Sequence, residues 1–152
     1  MSDISTLGVT IKYCAEATAG TRPTTGYTQL PRCKSIGGVA LTPEKIDTSC
    51  LEDTVSQYAP GRADTGGDWP LVFHSGGMEA VKTMLSEYAA LSGGKGMWFA
   101  VCFPSLTDAY FVKAAPPSTL ALSDISDNSP LEIPVNMTLE EIEGYATAPT
   151  AA

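Results

Sequence analysis

At 152 residues the chain is sized for one domain that buries roughly 70% of the surface it exposes when unfolded. Its 9 Lys and Arg against 17 Asp and Glu leave a formal charge of −8, which excludes a protein that grips a nucleic-acid backbone or docks on an anionic membrane. Only 17% of residues are charged, below the usual quarter, so part of the surface is not meant for water. Self-assembly accounts for that, and so does a shallow surface rich in Ala and Thr.

The N-terminal stretch lacks a basic segment followed by an apolar one, so no export signal is read, and no apolar run approaches the ~20 residues of a membrane span. Cys14, Cys33, Cys50 and Cys102 are widely spaced with no C-x-x-C, and read as reduced, half-buried thiols rather than a zinc site.

Val9, Ile11 and Tyr13 alternate with Thr10, Lys12 and Cys14, the period of a half-buried strand. Glu16 to Gly26 is a turn-rich loop. A short strand follows from Tyr27 to Cys33, then a broken third and fourth around Gly37-Gly38. Ser49 to Asp68 is long and polar, with three Gly, one Pro and no sustained period, so it reads as a loop of a length uncommon in compact domains. Trp69, Leu71 and Phe73 alternate with Pro70, Val72 and His74, and Pro70 pushes this strand towards an edge or at least puts its start there.

The period then changes. Met78, Val81, Leu85, Tyr88 and Leu91 share one helical face, with Ser75 as the cap and Gly93-Gly94 as the stop, which predicts a helix over about Gly77–Leu91. Lys95 to Pro104 is apolar on both faces, a buried central strand. A hairpin returns through Ala109–Ala114, another strand is predicted over Thr119–Ile125, and Leu131 to Leu139 alternates strictly with polar residues. The residues that close the chain are small and join no core. The expected fold is mainly β (α+β): an antiparallel β-sandwich or barrel with one covering helix, a single domain over 1–152, and termini at 1–7 and 143–152 that are flexible or ordered only on assembly.

No chemistry is legible. His74, the one histidine, sits next to Ser75, but adjacent strand residues point to opposite faces, and the G-x-S-x-G pattern is absent. Gly76-Gly77 and Gly93–Gly96 match no phosphate-binding motif. Glu52, Asp53, Asp64 and Asp68 lack the spacing of a calcium loop, and neither metal nor cofactor is expected.

Thr42-Pro43-Glu44-Lys45-Ile46-Asp47, Leu51-Glu52-Asp53, Tyr58-Ala59-Pro60-Gly61 and the Asp-rich run Asp64 to Asp68 follow one another in order. In this order, and in the strand–helix–strands succession after it, the chain resembles the major tail, or tail tube, proteins of long-tailed bacteriophages. The resemblance covers Gly8 to Leu139 in outline and about thirty residues in its motif. It implies a non-enzymatic structural subunit that forms hexameric rings, stacked into a tube through whose channel DNA passes without specific binding. It implies that the partners are copies of the chain itself, with tape-measure, tail-terminator and distal tail proteins. The location implied is the tail of a virion made in a bacterial cytoplasm.

On that resemblance Leu51, Glu52, Asp53, Tyr58, Pro60, Arg62 and Asp64 belong to an arm that reaches a neighbouring subunit or ring. Glu44, Asp47, Glu132 and Glu140, on polar strand faces, are candidates for the channel wall. A tube subunit of a phage-derived injection device fits the same residues. From another class, a monomeric carbohydrate-binding or adhesion module would use Trp69, Trp98 and Tyr58 as an exposed platform. A hydrolase using His74 is the third reading.

Overall fold

The computed structural model describes residues 8–38, 42–64, 67–104, 106–122 and 124–149, without the side chains of residues 42–44 and 61–64. The elements run β1 (Thr10–Ala15), β2 (Thr28–Leu30), β3 (Cys33–Ile36), β4 (Thr42–Asp47), β5 (Tyr58–Asp64), β6 (Asp68–His74), a 3-10 turn (Ser75–Gly77), α1 (Met78–Ala89), β7 (Met97–Cys102), β8 (Asp108–Ala115) and β9 (Glu132–Thr147). Seven strands form one antiparallel sheet in the order β2-β1-β7-β8-β9-β6-β3, and among the described residues β4 and β5 pair only with each other. The fold is therefore mainly β with a single helix, as the alternation of the sequence predicts.

The sheet cannot lie flat. Its two edge strands, β2 and β3, are consecutive in the chain and joined by Pro31-Arg32 alone, and two residues span less than about 10 Å. The edges must meet, so the sheet curls on itself. On the opposite side β9 makes the bend. Its first half pairs with β6 through Glu132–Thr138, and its second half pairs with β8 through Thr138–Thr147. Two register shifts leave Glu140 and Glu143 as extra residues, the second followed by Gly144 at φ +92°. Bulges of this kind increase local twist and turn a strand around a corner.

Inside the curl Ile11 and Tyr13, Trp69, Leu71 and Phe73, Met97, Phe99 and Val101, and Ile133, Val135 and Met137 form one core. Each set is the alternate residues of one strand. Helix α1 adds Val81 and Met84 to it, with Met78, Leu85 and Tyr88 packed at its margin. The Tyr13 hydroxyl is pushed up to about 12 by burial first, and then by its hydrogen bond and proximity to Glu87 on the helix. A smaller core lies on the outer face of β7 and β8, where Trp98, Ala100, Ala109 and Phe111 are covered by Tyr27, Ala146 and Ala148. This explains why β7 is apolar on both faces, as its sequence predicts.

The outer core is held by Glu16, a carboxylate only 3% exposed. It accepts hydrogen bonds from Gly96 N at 2.7 Å, Trp98 Nε1 at 2.8 Å and Gly20 N at 3.2 Å, and Lys113 Nζ lies 3.6 Å away. Burial alone would push the Glu16 carboxyl up, but the bonds from Trp98, Gly96 and Gly20, with the Lys113 charge, together bring it below the usual glutamate range. Beside it Arg22 stacks over Phe111 at 4.0 Å and pairs with Glu143. One buried acid thus pins the Glu16–Gly26 loop across two strands.

Several expectations are corrected. Ser49–Asp68 is not loop throughout, because Tyr58–Asp64 is a strand that pairs with Thr42–Asp47. Pro70 lies in an interior strand. Its missing N–H falls where β3 ends, and Gly37 N donates to Pro70 O at 2.8 Å. A Cβ on Gly37 would stand 2.8 Å from Pro70 Cδ, so glycine makes the room that lets proline sit there. Ser75 caps nothing; the helix begins at Gly77, which makes no side-chain cap bond. Thr119–Ile125 is not a strand, and Leu122 and Ile125 are exposed in the connection from β8 to β9. Beyond Leu139, where the sequence signal ends, β9 continues to Thr147, and Ala148 N donates to Thr107 O. Residues 1–7 and 150–152 lie outside the described residues.

The corner between β2 and β3 yields one test. A Cβ on Gly77 would stand 2.4 Å from Pro31 O, a backbone atom with no freedom to rotate away. Gly77→Ala is expected to cost about 1–3 kcal/mol, the range for overpacking, read from the denaturant midpoint. An unchanged midpoint would mean that the corner is not tightly packed.

Glu16 yields another. Glu16→Gln is expected to cost about 1–3 kcal/mol at neutral pH through the lost charge-assisted bonds. Its folded carboxyl titrates below the unfolded one, so as pH falls the unfolded chain takes the proton first. The stabilisation is whole above about pH 5 and is lost as pH falls through the folded value. The Gln variant should lack that part of the acid dependence, which urea melts at stepped pH will read.

Candidate assembly interface

The chain leaves the body at Gly38 and returns at Gly67, and between these points β4 and β5 form a hairpin of their own. The register pairs Asp47 with Tyr58, Ile46 with Ala59 and Lys45 with Pro60, so Lys45, Asp47, Tyr58 and Pro60 share one face and Ile46 and Ala59 the other.

Its tip is ordered by side chains bonding to nearby backbone. Asp47 Oδ1 accepts from Ser49 N at 2.9 Å, Ser49 Oγ from Gln57 N at 2.6 Å, and Asp53 Oδ2 from Cys50 N at 2.9 Å. Short polar side chains make such turns where no packing does. The first of these bonds holds the Asp47 carboxyl below its usual range.

The apolar residues of the hairpin are left in water. Leu51 is fully exposed, Val55 68%, Tyr58 59% and Ile46 52%. A lone two-stranded hairpin is marginally stable by itself, and the large apolar side chains it leaves exposed are available to another surface. No titratable constellation accompanies it, and among the described residues no group of three or more His, Cys, Asp or Glu stands together to hold a metal.

The seven arm residues named from the sequence are brought onto this one hairpin. Leu51, Glu52, Asp53, Tyr58 and Pro60 are all exposed on it. Arg62 and Asp64 lie on β5, with side chains outside the described residues. The four acidic candidates are not brought together. Asp47 is on the hairpin, and Glu44 lies on β4 with its side chain not described. Glu132 opens β9 and pairs with Lys34. Glu140 is a bulge residue further along β9, eight residues on or roughly 26 Å by strand rise, and it lies near the half-buried Tyr88 hydroxyl, whose pKa is raised by burial first and then by that carboxylate.

Trp69 and Trp98 lie in the two cores at 0% and 2% exposure. The aromatic platform required by the binding-module reading is therefore not on the surface. His74 donates its backbone N–H to Arg32 O at 2.9 Å and helps close the corner, while Ser75 lies in the following turn.

No protein-family model matches the chain, and no curated protein matches it. Solved structures do. A chain in the anti-feeding prophage baseplate, a six-fold symmetrised cryo-EM structure, superposes with a TM-score of 0.69 at 8% identity, covering 99% of each chain. A chain in the sheath/tube terminator of the PVC extracellular contractile injection system, in its extended state, gives 0.61 at 15% identity, covering 96% of this chain and 99% of that one. A chain in the anti-feeding prophage tube-terminating cap gives 0.61 at 15%, covering 97% and 93%. The fold is thus shared, end to end, with components of phage-tail-like injection particles.

If the hairpin tip serves only a partner, the body should not need it. Leu51→Ser and Val55→Ser are each expected to leave stability within about 0.5 kcal/mol of the parent, measured by thermal and urea melts at low protein concentration. A larger loss would place these side chains in the monomer's own packing.

Proposed function

We propose that this chain is a ring-forming structural subunit of the tube of a phage-derived contractile injection particle, without catalytic activity or cofactor. The observation that carries this reading is the β4–β5 hairpin, which stands outside the seven-stranded sheet and leaves Leu51, Val55 and Tyr58 in water. End-to-end similarity to chains of baseplate and tube-terminating assemblies supports it. So does the preference for an injection device over a long-tailed phage, since the matched structures come from contractile systems and prophage-derived particles.

In this proposal copies of the chain form six-membered rings, the symmetry of the baseplate structure, and the hairpin with Leu51, Glu52, Asp53, Tyr58, Pro60, Arg62 and Asp64 contacts the neighbouring subunit or ring. Tape-measure, terminator and distal tail proteins meet the ends of the stack. Six copies carry 6 × (−8) = −48 formal charges. A channel wall bearing part of that charge repels phosphate over about 8 Å at physiological salt, so a polyanionic cargo slides without sticking. Asp47 and Glu140 are the wall carboxylates of this proposal together with Glu44, while Glu132, balanced by Lys34, adds little net field.

Sedimentation velocity over the accessible concentration range, with negative-stain microscopy of the most concentrated sample, tests it. Hexameric rings or hollow tubes are expected, and the Leu51→Ser, Val55→Ser double variant should remain monomeric. A parent protein that is monomeric throughout would overturn the self-assembling reading.

A further inference from the structure

The curled sheet is not fully closed. Beyond Trp69 and the end of β3 the inner face of β7, β8 and β9 is only partly covered, from buried Val101 through half-buried Tyr110 and Phe103 to exposed Tyr145. There Val101, Tyr110 and Tyr145 stand side by side on three successive strands by register, with Phe103 beyond them. The Tyr145 ring meets Tyr110 edge-on at 4.9 Å and lies 6.2 Å from Phe103. Tyr145 is 63% exposed. Together with Val9 and Cys33–Gly38 these residues line an open groove of about 510 Å³.

We propose that this aromatic groove receives the hairpin tip of a second copy of the chain; the proposal rests on the self-assembling reading above and names the acceptor for the arm. Three observations select that occupant. The first is chemistry: the groove lacks an apolar cover, and the tip offers Leu51 and Val55, which the monomer leaves in water. The second is charge. Among the described residues the groove lining carries no acid, and its one cation, Lys34, is paired with Glu132, so nothing there repels the tip from Ser49 to Gln57, which carries Glu52 and Asp53 with no cation.

The third is exposure within one molecule. Leu51 and Val55 at the tip and Tyr145 in the groove are all left in water in the single chain, so the molecule's own tip does not cover its own groove. A neighbouring molecule's tip is free to do so. Each copy then presents one donor and one acceptor on different surfaces, the head-to-tail arrangement that closes into rings or propagates along an axis.

The test is a photo-crosslink from Leu51, replaced by p-benzoyl-phenylalanine, in an equimolar mixture of nitrogen-14 and nitrogen-15 protein concentrated before irradiation. Leu51 touches nothing in the monomer, so the replacement leaves the fold alone. Mixed-isotope crosslinks to peptides holding Phe103, Tyr110 or Tyr145 are expected. Crosslinks to those peptides of one isotope only would mean that the tip folds onto its own groove, and would overturn the proposal. Mixed-isotope crosslinks elsewhere would overturn the groove as acceptor while leaving self-assembly standing. Absence of any crosslink between copies would overturn the groove proposal, and with no rings or tubes in the same sample it would overturn the self-assembling reading as well. As a second readout, Tyr145→Ser should raise the concentration needed for assembly by about tenfold or more, the loss of one aromatic anchor, with the melting midpoint at low concentration unchanged. An unchanged assembly threshold would overturn the groove's role.

Discussion

The bend in β9 is the constraint on which the rest of the structure depends. One strand serves β6 with its first half and β8 with its second, so the sheet has to turn where the pairing changes hands at Thr138. The turn is made by adding residues rather than by breaking the strand. Glu140 and Glu143 are the extra ones, and being charged they favour the solvent side of the corner. Because β9 turns, Ile133, Val135 and Met137 face Met97, Phe99 and Val112 across one core instead of lying beside them on a flat sheet. The opposite corner at Pro31-Arg32 is then geometrically possible, and the 3-10 turn beneath it fits only because Gly77 has no side chain.

The same closure leaves the arm outside. β3 ends at Ile36, and the last bond is from Gly37 N to Pro70 O, because Pro70 has no N–H to continue the ladder. The chain cannot extend that edge and departs, pairs with itself as β4 and β5, and returns to open β6. Its tip is specified by Asp47, Ser49 and Asp53 bonding to backbone, interactions that need no core. Local polar chemistry can fix a shape in water, but it contributes little net stability. The hydrophobic side chains on that shape therefore contribute to holding the hairpin only when another surface covers them.

Legibility in the sequence follows burial closely. Strands with one face in the core, such as those of Trp69, Leu71 and Phe73 or of Ile133, Val135 and Met137, announce themselves by alternation, and the helix by its 3.6 period, although Met84 was missed on its buried face. β7 reads correctly as apolar on both faces. The β4–β5 pairing is illegible because none of the described side chains of either strand is buried and no alternation marks Tyr58–Asp64. The reverse error arose at Thr119–Ile125, where Leu120 and Leu122 alternate with small residues although no strand forms. The arm residues are legible through the family resemblance, and within the sequence the matching signal is Asp47, Ser49 and Asp53 at the positions that make side-chain turns. Glu16 looked like one more acid in a turn-rich loop, since its burial depends on Gly96, Trp98 and Lys113 more than eighty residues away.

Were this β protein to assemble as proposed, it would have to join its own copies without joining them indiscriminately, and the distribution of charge here meets that condition. Among the described residues, Glu140 to Thr147 of β9 pair on the β8 side alone, an edge that could template a foreign strand. Glu140, Glu141 and Glu143 fall on it within four residues, and like charges opposed across a would-be edge pairing are unfavourable. Glu143 is drawn aside by Arg22 but keeps the edge crowded. In the proposed contact, by contrast, the hairpin tip would meet the aromatic groove with apolar groups on both sides. Edge pairing is discouraged by electrostatics that salt can screen, whereas the proposed arm contact would rest on apolar burial that salt does not weaken. On that proposal, raising ionic strength shifts the balance between ordered assembly and aggregation, and the carboxylates on β9 set where that shift occurs.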